Sequence, residues 1–179
     1  MFIHEMSEAE CRKALQHAAI GRLACARDNQ PYVFPIYFTL EGEYAYAFTT
    51  LGQKIEWMRT NPTVCLEVDE RVGHDRWQSI MVFGEYEELK DQPKYEAARM
   101  KALKLLQKQP MWWEPAYIGA KHRETSHSEI PIFYRIRIIR MTGHRATADA
   151  VDSTELNKEQ SKGGDGWWSE ILRHIGIHD

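Results

Sequence analysis

The chain has 179 residues, 43% hydrophobic and 27% charged, with a formal net charge of −3; this fits one folded domain with a sizeable core and argues against a disordered chain. An isoelectric point near 6.2 argues against a broad nucleic-acid footprint, which needs a clustered positive excess. The sequence has no apolar run approaching the roughly 20 residues that span a bilayer.

Ser7, with Glu10 three residues on, forms a capping box and predicts a helix through Ala19 with Cys11, Ala14, Leu15 and Ala18 inward, stopped by Gly21. Arg22 to Arg27 reads as a strand, Asp28-Asn29-Gln30-Pro31 as a hairpin turn, and Tyr32 to Leu40 as the returning strand. Pro35 cannot donate to a ladder, which predicts an edge or a bulge. Glu41-Gly42-Glu43 turns the chain into the aromatic strand Tyr44 to Phe48, followed by a helix over 53–60 that Asn61-Pro62 ends. Thr63 to Asp69 is a strand, 70–76 a polar loop, and Trp77 to Leu89 a strand with Ile80 and Val82 opposite Ser79, Met81 and Phe83. Asp91 to Lys108 predicts a second long helix, Met111 to Ser128 a loop or lid without period, and Ile132 to Met141 a last strand closed by Thr142-Gly143. Residues 1–146 form the expected domain; 147–179 read as a polar linker with a short helix at Trp167 to His174. Six or seven short strands and three helices predict an α+β fold built on an antiparallel barrel.

The stretch Phe48-Thr49-Thr50-Leu51-Gly52-Gln53-Lys54 gathers two hydroxyls, a glycine and an ammonium at the start of a helix. That chemistry suits a phosphate: helix-start N–H groups point outward, Gly52 lets the backbone come close, and Lys54 supplies charge. Such a string also occurs at ordinary strand-to-helix junctions with a solvated lysine. The strand Tyr32 to Phe38 offers its backbone to the edge of a planar ring, or packs a core. Trp77-Gln78-Ser79 offers an amide and a hydroxyl to a ligand, or sets a core tryptophan beside a surface glutamine. Trp112-Trp113-Glu114-Pro115 offers flat covers for a flat ligand, or an interface. Cys11, Cys25 and Cys65 lack CxxC spacing and read as reduced thiols. Glu124, His127 and Glu129 read as a solvated loop, and no metal site is expected. Met1 to Met6 show no secretion-signal pattern, so a cytoplasmic location is expected.

Together, Gly21-Arg22-Leu23-Ala24, Pro31 to Ile36, the Phe48-to-Lys54 turn, Asn61-Pro62, Val64-Cys65-Leu66 and the Trp77-to-Gly84 strand resemble the pyridoxamine 5′-phosphate oxidase-like flavoproteins. The resemblance covers residues 5–145 and is nearest to the nitroimidazole-reductase-like, FMN-binding branch. It implies a six-stranded split β-barrel and a homodimer with FMN at the subunit interface. It further implies that Val33, Phe34, Pro35 and Ile36 border the isoalloxazine through their backbone, and that Thr49 and Thr50 reach the ribityl chain and phosphate. Gln53 and Lys54 would bind the phosphate, and Ser79, with Gln78 beside it, would approach the cofactor. Trp112 and Trp113 are candidate covers. No catalytic side chain is assigned, because the flavin carries the chemistry. The implied function is an FMN-dependent oxidoreductase acting on a small molecule, with an electron donor such as NAD(P)H. The alternatives are a non-catalytic flavin carrier or sensor, or the same barrel holding a deazaflavin, or haem through His122 or His127.

Overall fold

The computed structural model describes residues 1–108 and 131–148. Trp112, Trp113, His122, Glu124, His127, Glu129 and residues 149–179 lie outside them. The elements in chain order are β1 (Phe2–Glu5), α1 (Glu8–His17), β2 (Ile20–Arg27), β3 (Gln30–Tyr37), β4 (Thr39–Glu41), β5 (Tyr44–Thr49), α2 (Gln53–Thr60), β6 (Thr63–Arg71), β7 (Trp77–Glu88), α3 (Glu96–Leu106) and β8 (Ile132–Thr147).

Local chemistry sets several of these boundaries. Ser7 and Glu10 form the capping box of α1, with the Ser7 N–H donating to Glu10 Oε2 at 2.9 Å. Asp28 and Asn29 both adopt positive φ, 52° and 63°. That is the two-residue turn whose twist matches a right-handed hairpin, so Gln30 and Pro31 already belong to β3. Asn61-Pro62 ends α2, and the Asn61 side chain donates to Ala26 O at 3.0 Å, tying the helix end to β2.

The strands form one antiparallel sheet in the order β3-β2-β6-β7-β8-β5-β4, with β1 also paired to β8. One edge of β8 pairs with β7; the other carries β5 over Ile132 to Arg137 and β1 over His144 to Thr147. The two ends of this path, β3 and β4, are separated in the chain only by Phe38, so the sheet must curl until its ends nearly meet. β3 lies against β5 with no ladder between them. The result is a barrel that is split along one seam. Its interior is filled by Leu23, Phe38, Leu66, Ile80, Val82, Tyr134 and Ile136. A smaller cluster of Tyr46, Leu89, Ala102 and Leu106 seats α3 on the outside.

The sheet departs from the expected count: eight strands are present among the described residues and the sheet is not closed. β1 was not anticipated, and the predicted strand over 32–40 divides at Phe38 into β3 and β4. Gly21 does not stop the first helix, which ends at His17 with extended Ala18 as its cap. Gly21 lies within β2, where a Cβ would sit 2.6 Å from Leu66 Cδ1. Nor does Gly143 end the last strand: β8 runs on to Thr147, and Gly143 makes room for Cys11 and Met6 beneath α1. A bulge at Ile139 shifts the register between Phe83 and Gly84, which lets so long a strand bend around the barrel. The second long helix starts at Glu96, because Pro93 opens a separate 3₁₀ turn before it.

Candidate functional site

At the seam, β3 is the edge of the sheet path, as Pro35 requires. Its pleat turns Phe34 and Ile36 inward and leaves Val33 and Pro35 exposed. An edge strand presents unpaired N–H and C=O groups, and a proline there discourages pairing with another strand. Across the seam, β5 ends at Thr49, which is 7% exposed and shares the inward face with Ala45 and Ala47. Thr50 is half-buried and Gln53 exposed. The turn then enters α2, whose N-cap, Gly52, has extended backbone (φ 173°) and makes no side-chain cap.

Lys54 joins the two sides. Its Nζ lies 5.2 Å from the centroid of the Phe34 ring. The side chain is half-buried and makes no hydrogen bond or ion pair with any described residue. Burial pushes the Lys54 ammonium below the ordinary lysine range, because a desolvated cation without a counter-charge is disfavoured. By contrast, Arg59 on the same helix is neutralised by Glu88 through two bonds of 2.7 and 2.9 Å. Phe34 belongs to an aromatic group with Tyr32 (5.3 Å between centroids), which in turn meets Trp57 edge-on at 5.6 Å. Arg27, at the end of β2, lies 5.2 Å above the Trp57 ring.

The expected site residues thus fall into two groups. Val33, Phe34, Pro35, Ile36, Thr49, Thr50, Gln53 and Lys54 converge on the seam. Ser79 lies elsewhere on the sheet, on the outward face with Met81, whose row crosses Glu67 and Arg22 to reach Pro35. Three ladder spacings separate β7 from β3, about 14 Å. Gln78 faces the opposite way and is engaged at both ends of its amide. Its Nε2 donates to Glu70 Oε2 at 2.7 Å, and its Oε1 accepts from Arg145 at 3.1 and 3.3 Å. It lines a groove of about 810 Å³ beneath α1, together with Glu10, Ala14, Ile80 and Arg145. A second groove of about 430 Å³ runs along α3 beside Phe133. Neither contains Lys54.

Sequence reasoning took Tyr32 only as part of the β3 backbone edge and missed Trp57 and Arg27 as neighbours of the seam. The three-residue spacing of Lys54 and Trp57 on one helix was the available signal. Two buried hydroxyls, Thr39 Oγ1 and Tyr134 OH, have no partner among the described residues. No group of three or more His, Cys, Asp or Glu among the described residues is placed to hold a metal, and no described helix is long and apolar enough to cross a membrane.

The fold, an antiparallel sheet curled into a split barrel with helices packed on it, sets the class of protein. The chain belongs to the family described as pyridoxamine 5′-phosphate oxidase, whose model matches residues 7–145. A protein of Rhizobium meliloti is 39% identical over 148 residues, covering 83% of this chain and 98% of the relative; it is uncharacterised. A FAD-binding protein from Mesorhizobium loti of known structure is 40% identical, with a TM-score of 0.69 over 82% of this chain and all of that one. A FAD- and haem-binding protein from Mycobacterium smegmatis shares the fold alone: 18% identity and a TM-score of 0.58 over 89% of this chain and 80% of that one.

Proposed function

We propose that this chain binds a flavin nucleotide at the seam and acts as a flavin-dependent oxidoreductase on a small molecule. The observation that carries the reading is Lys54, a half-buried ammonium without a carboxylate partner among the described residues, at the start of α2 and against the β3 edge. A cation so placed is incomplete alone and complete with an anion. Gly52 fits the same anion. Its extended φ demands no glycine, and a Cβ there would meet no atom within 4 Å, so its smallness serves nothing within the described chain. A ligand oxygen approaching the first amides of α2 would use that space.

Each residue group then has a task. The free edge of Val33 to Ile36 would hold the ring's polar edge, and Thr49 and Thr50 the ribityl hydroxyls. Gln53 and Lys54 would hold the phosphate. The flavin, when bound, supplies the hydride or electron chemistry. The site is read as shared by a homodimer: Ala24, Cys65, Met81 and Phe83 are half-buried on the outward sheet face and Val33 is 57% exposed, an apolar surface of the kind that associates. Ser79, on that face and far from its own seam, is available to a neighbouring copy. Three free thiols, Cys11, Cys25 and Cys65, suit the cytoplasm.

The resemblance implies FMN, and the FAD of the Mesorhizobium relative favours the dinucleotide as second reading. Both carry the phosphate assigned to Lys54. An absorption spectrum of freshly purified protein, followed by cofactor release and mass measurement, tests the proposal. Twin flavin bands, an FMN or FAD mass and bleaching by NAD(P)H are expected. A colourless protein that takes up no flavin would refute it.

A further inference from the structure

The geometry points to Arg27 as a second phosphate-binding residue, one that serves only a dinucleotide flavin. The inference rests on the flavin reading above and extends it to ligand class. Arg27 and Lys54 are cations set on the two ends of one aromatic platform, Phe34–Tyr32–Trp57. Lys54 and Trp57 are three residues apart on α2, which puts them about 4.5 Å apart along the helix axis. The cation above Trp57 lies at the other end of the Phe34–Tyr32–Trp57 platform from the cation assigned to the first phosphate, with Tyr32 between their two rings.

The place of Arg27 is built. Asn61 Nδ2 holds Ala26 O at 3.0 Å, fixing the end of β2 against the last turn of α2, and the Asp28-Asn29 turn fixes it from the other side. Its charge, however, is weakly answered. Its ion pair is to Asp28 at 3.7 Å, a turn residue whose side chain is 91% exposed. Three other arginines are held closely: Arg135 by Glu87 at 2.6 Å and Arg137 by Glu85 at 2.7 Å on β8, and Arg59 by Glu88 at 2.7 Å on α2. A guanidinium stacked on an indole keeps its edge donors free for phosphate oxygens. A mononucleotide flavin has one phosphate, which Lys54 answers. A dinucleotide has a second, and Arg27, at the far end of the platform that Lys54 shares, is placed to meet it.

The test uses the full chain stripped of flavin and titrated separately with FAD and FMN by fluorescence quenching. Arg27→Gln should weaken FAD binding roughly tenfold or more, as for the loss of one charged hydrogen bond, and leave FMN binding unchanged. Arg27→Lys should keep most of the FAD affinity, and Lys54→Ala should weaken both ligands. Thermal melts of the apo variants show whether loss of the Trp57 stack has disturbed the fold, and Arg27→Lys keeps that stack. Wild-type protein that binds FAD, with Arg27→Gln binding it equally well or losing FMN to the same degree, overturns the role of Arg27 alone. Wild-type protein that binds neither flavin overturns the flavin reading and this inference together.

Discussion

The ammonium of Lys54 sits 5.2 Å from the centre of the Phe34 ring, so that α2 and β3 meet through a cation on an aromatic face across the open seam. Phe34 and Lys54 are twenty positions apart, and neither belongs to a strand ladder joining the two. The contact gives the cation modest support and leaves its remaining charge to be answered by something else.

The first prediction concerns the free protein. Burial lowers the Lys54 pKa in the folded state relative to the unfolded chain. A base with a depressed folded-state pKa costs stability wherever it is charged, below the folded value, and the cost vanishes as pH rises past the unfolded value of about 10.4. Lys54→Met should therefore raise the melting temperature of flavin-free protein at pH 7. The gap to wild type should narrow at alkaline pH, as read by scanning calorimetry at several pH values.

Two glycines should behave in opposite ways. Gly52→Ala adds a Cβ in open space on extended backbone, so apo-protein stability should change by less than about 1 kcal/mol, while affinity for FMN and FAD drops. Gly84→Ala puts a Cβ 2.5 Å from Arg137 O and 2.6 Å from Ile136 Cγ2. The Arg137 backbone is fixed in the β7–β8 ladder and the Ile136 side chain is packed in the core, so a loss of about 2–3 kcal/mol is expected. Urea melts of the two variants beside flavin titrations check both.

Tyr134 is wholly buried, with a hydroxyl that has no partner among the described residues, and burial pushes its pKa far upward. A buried donor left unsatisfied costs about 1–3 kcal/mol. Tyr134→Phe keeps the ring against Tyr86, 5.4 Å away, and should match or exceed wild type in chemical denaturation. A loss above about 1 kcal/mol would reveal a bound water or ligand on that hydroxyl.

The acid limb of stability should report on Glu88. Its bonds to Arg59 hold its carboxyl below the usual range. A carboxylate with a depressed folded pKa contributes stability above its unfolded value, near 4.3, and loses it as pH falls through the folded one. Arg59→Ala should lower stability at neutral pH and have progressively less effect toward acid, as seen in urea melts from pH 7 downward.

Much of the barrel was legible because its signals are local. The Ser7–Glu10 box, the Asn61-Pro62 stop and the alternation of Ile80 and Val82 each act over a few residues and reappear in the structure, as does the hairpin turn expected over 28–31, tightened to Asp28-Asn29. What failed depended on sheet order. Gly21 looks like a helix stop until β6 is placed beside β2, and Gly143 looks like a strand end until α1 lies over it. Gln78 reads as a free amide because Glu70 and Arg145 reach it from eight and 67 positions away. At the seam, the sequence pattern singled out the hydroxyls, the glycine and the lysine. The Phe34–Tyr32–Trp57 platform joins residues of β3 to one of α2, and no short window contains it.

Titration of flavin-free protein with riboflavin, FMN and FAD tests the phosphate assignment most directly. Both phosphorylated flavins should bind at least about tenfold more tightly than riboflavin, consistent with a charged contact of roughly 1.5–3 kcal/mol, and Lys54→Met should erase the preference for FMN and reduce that for FAD. Riboflavin binding as tightly as FMN in the wild type, or a phosphate preference untouched by Lys54→Met, would contradict it.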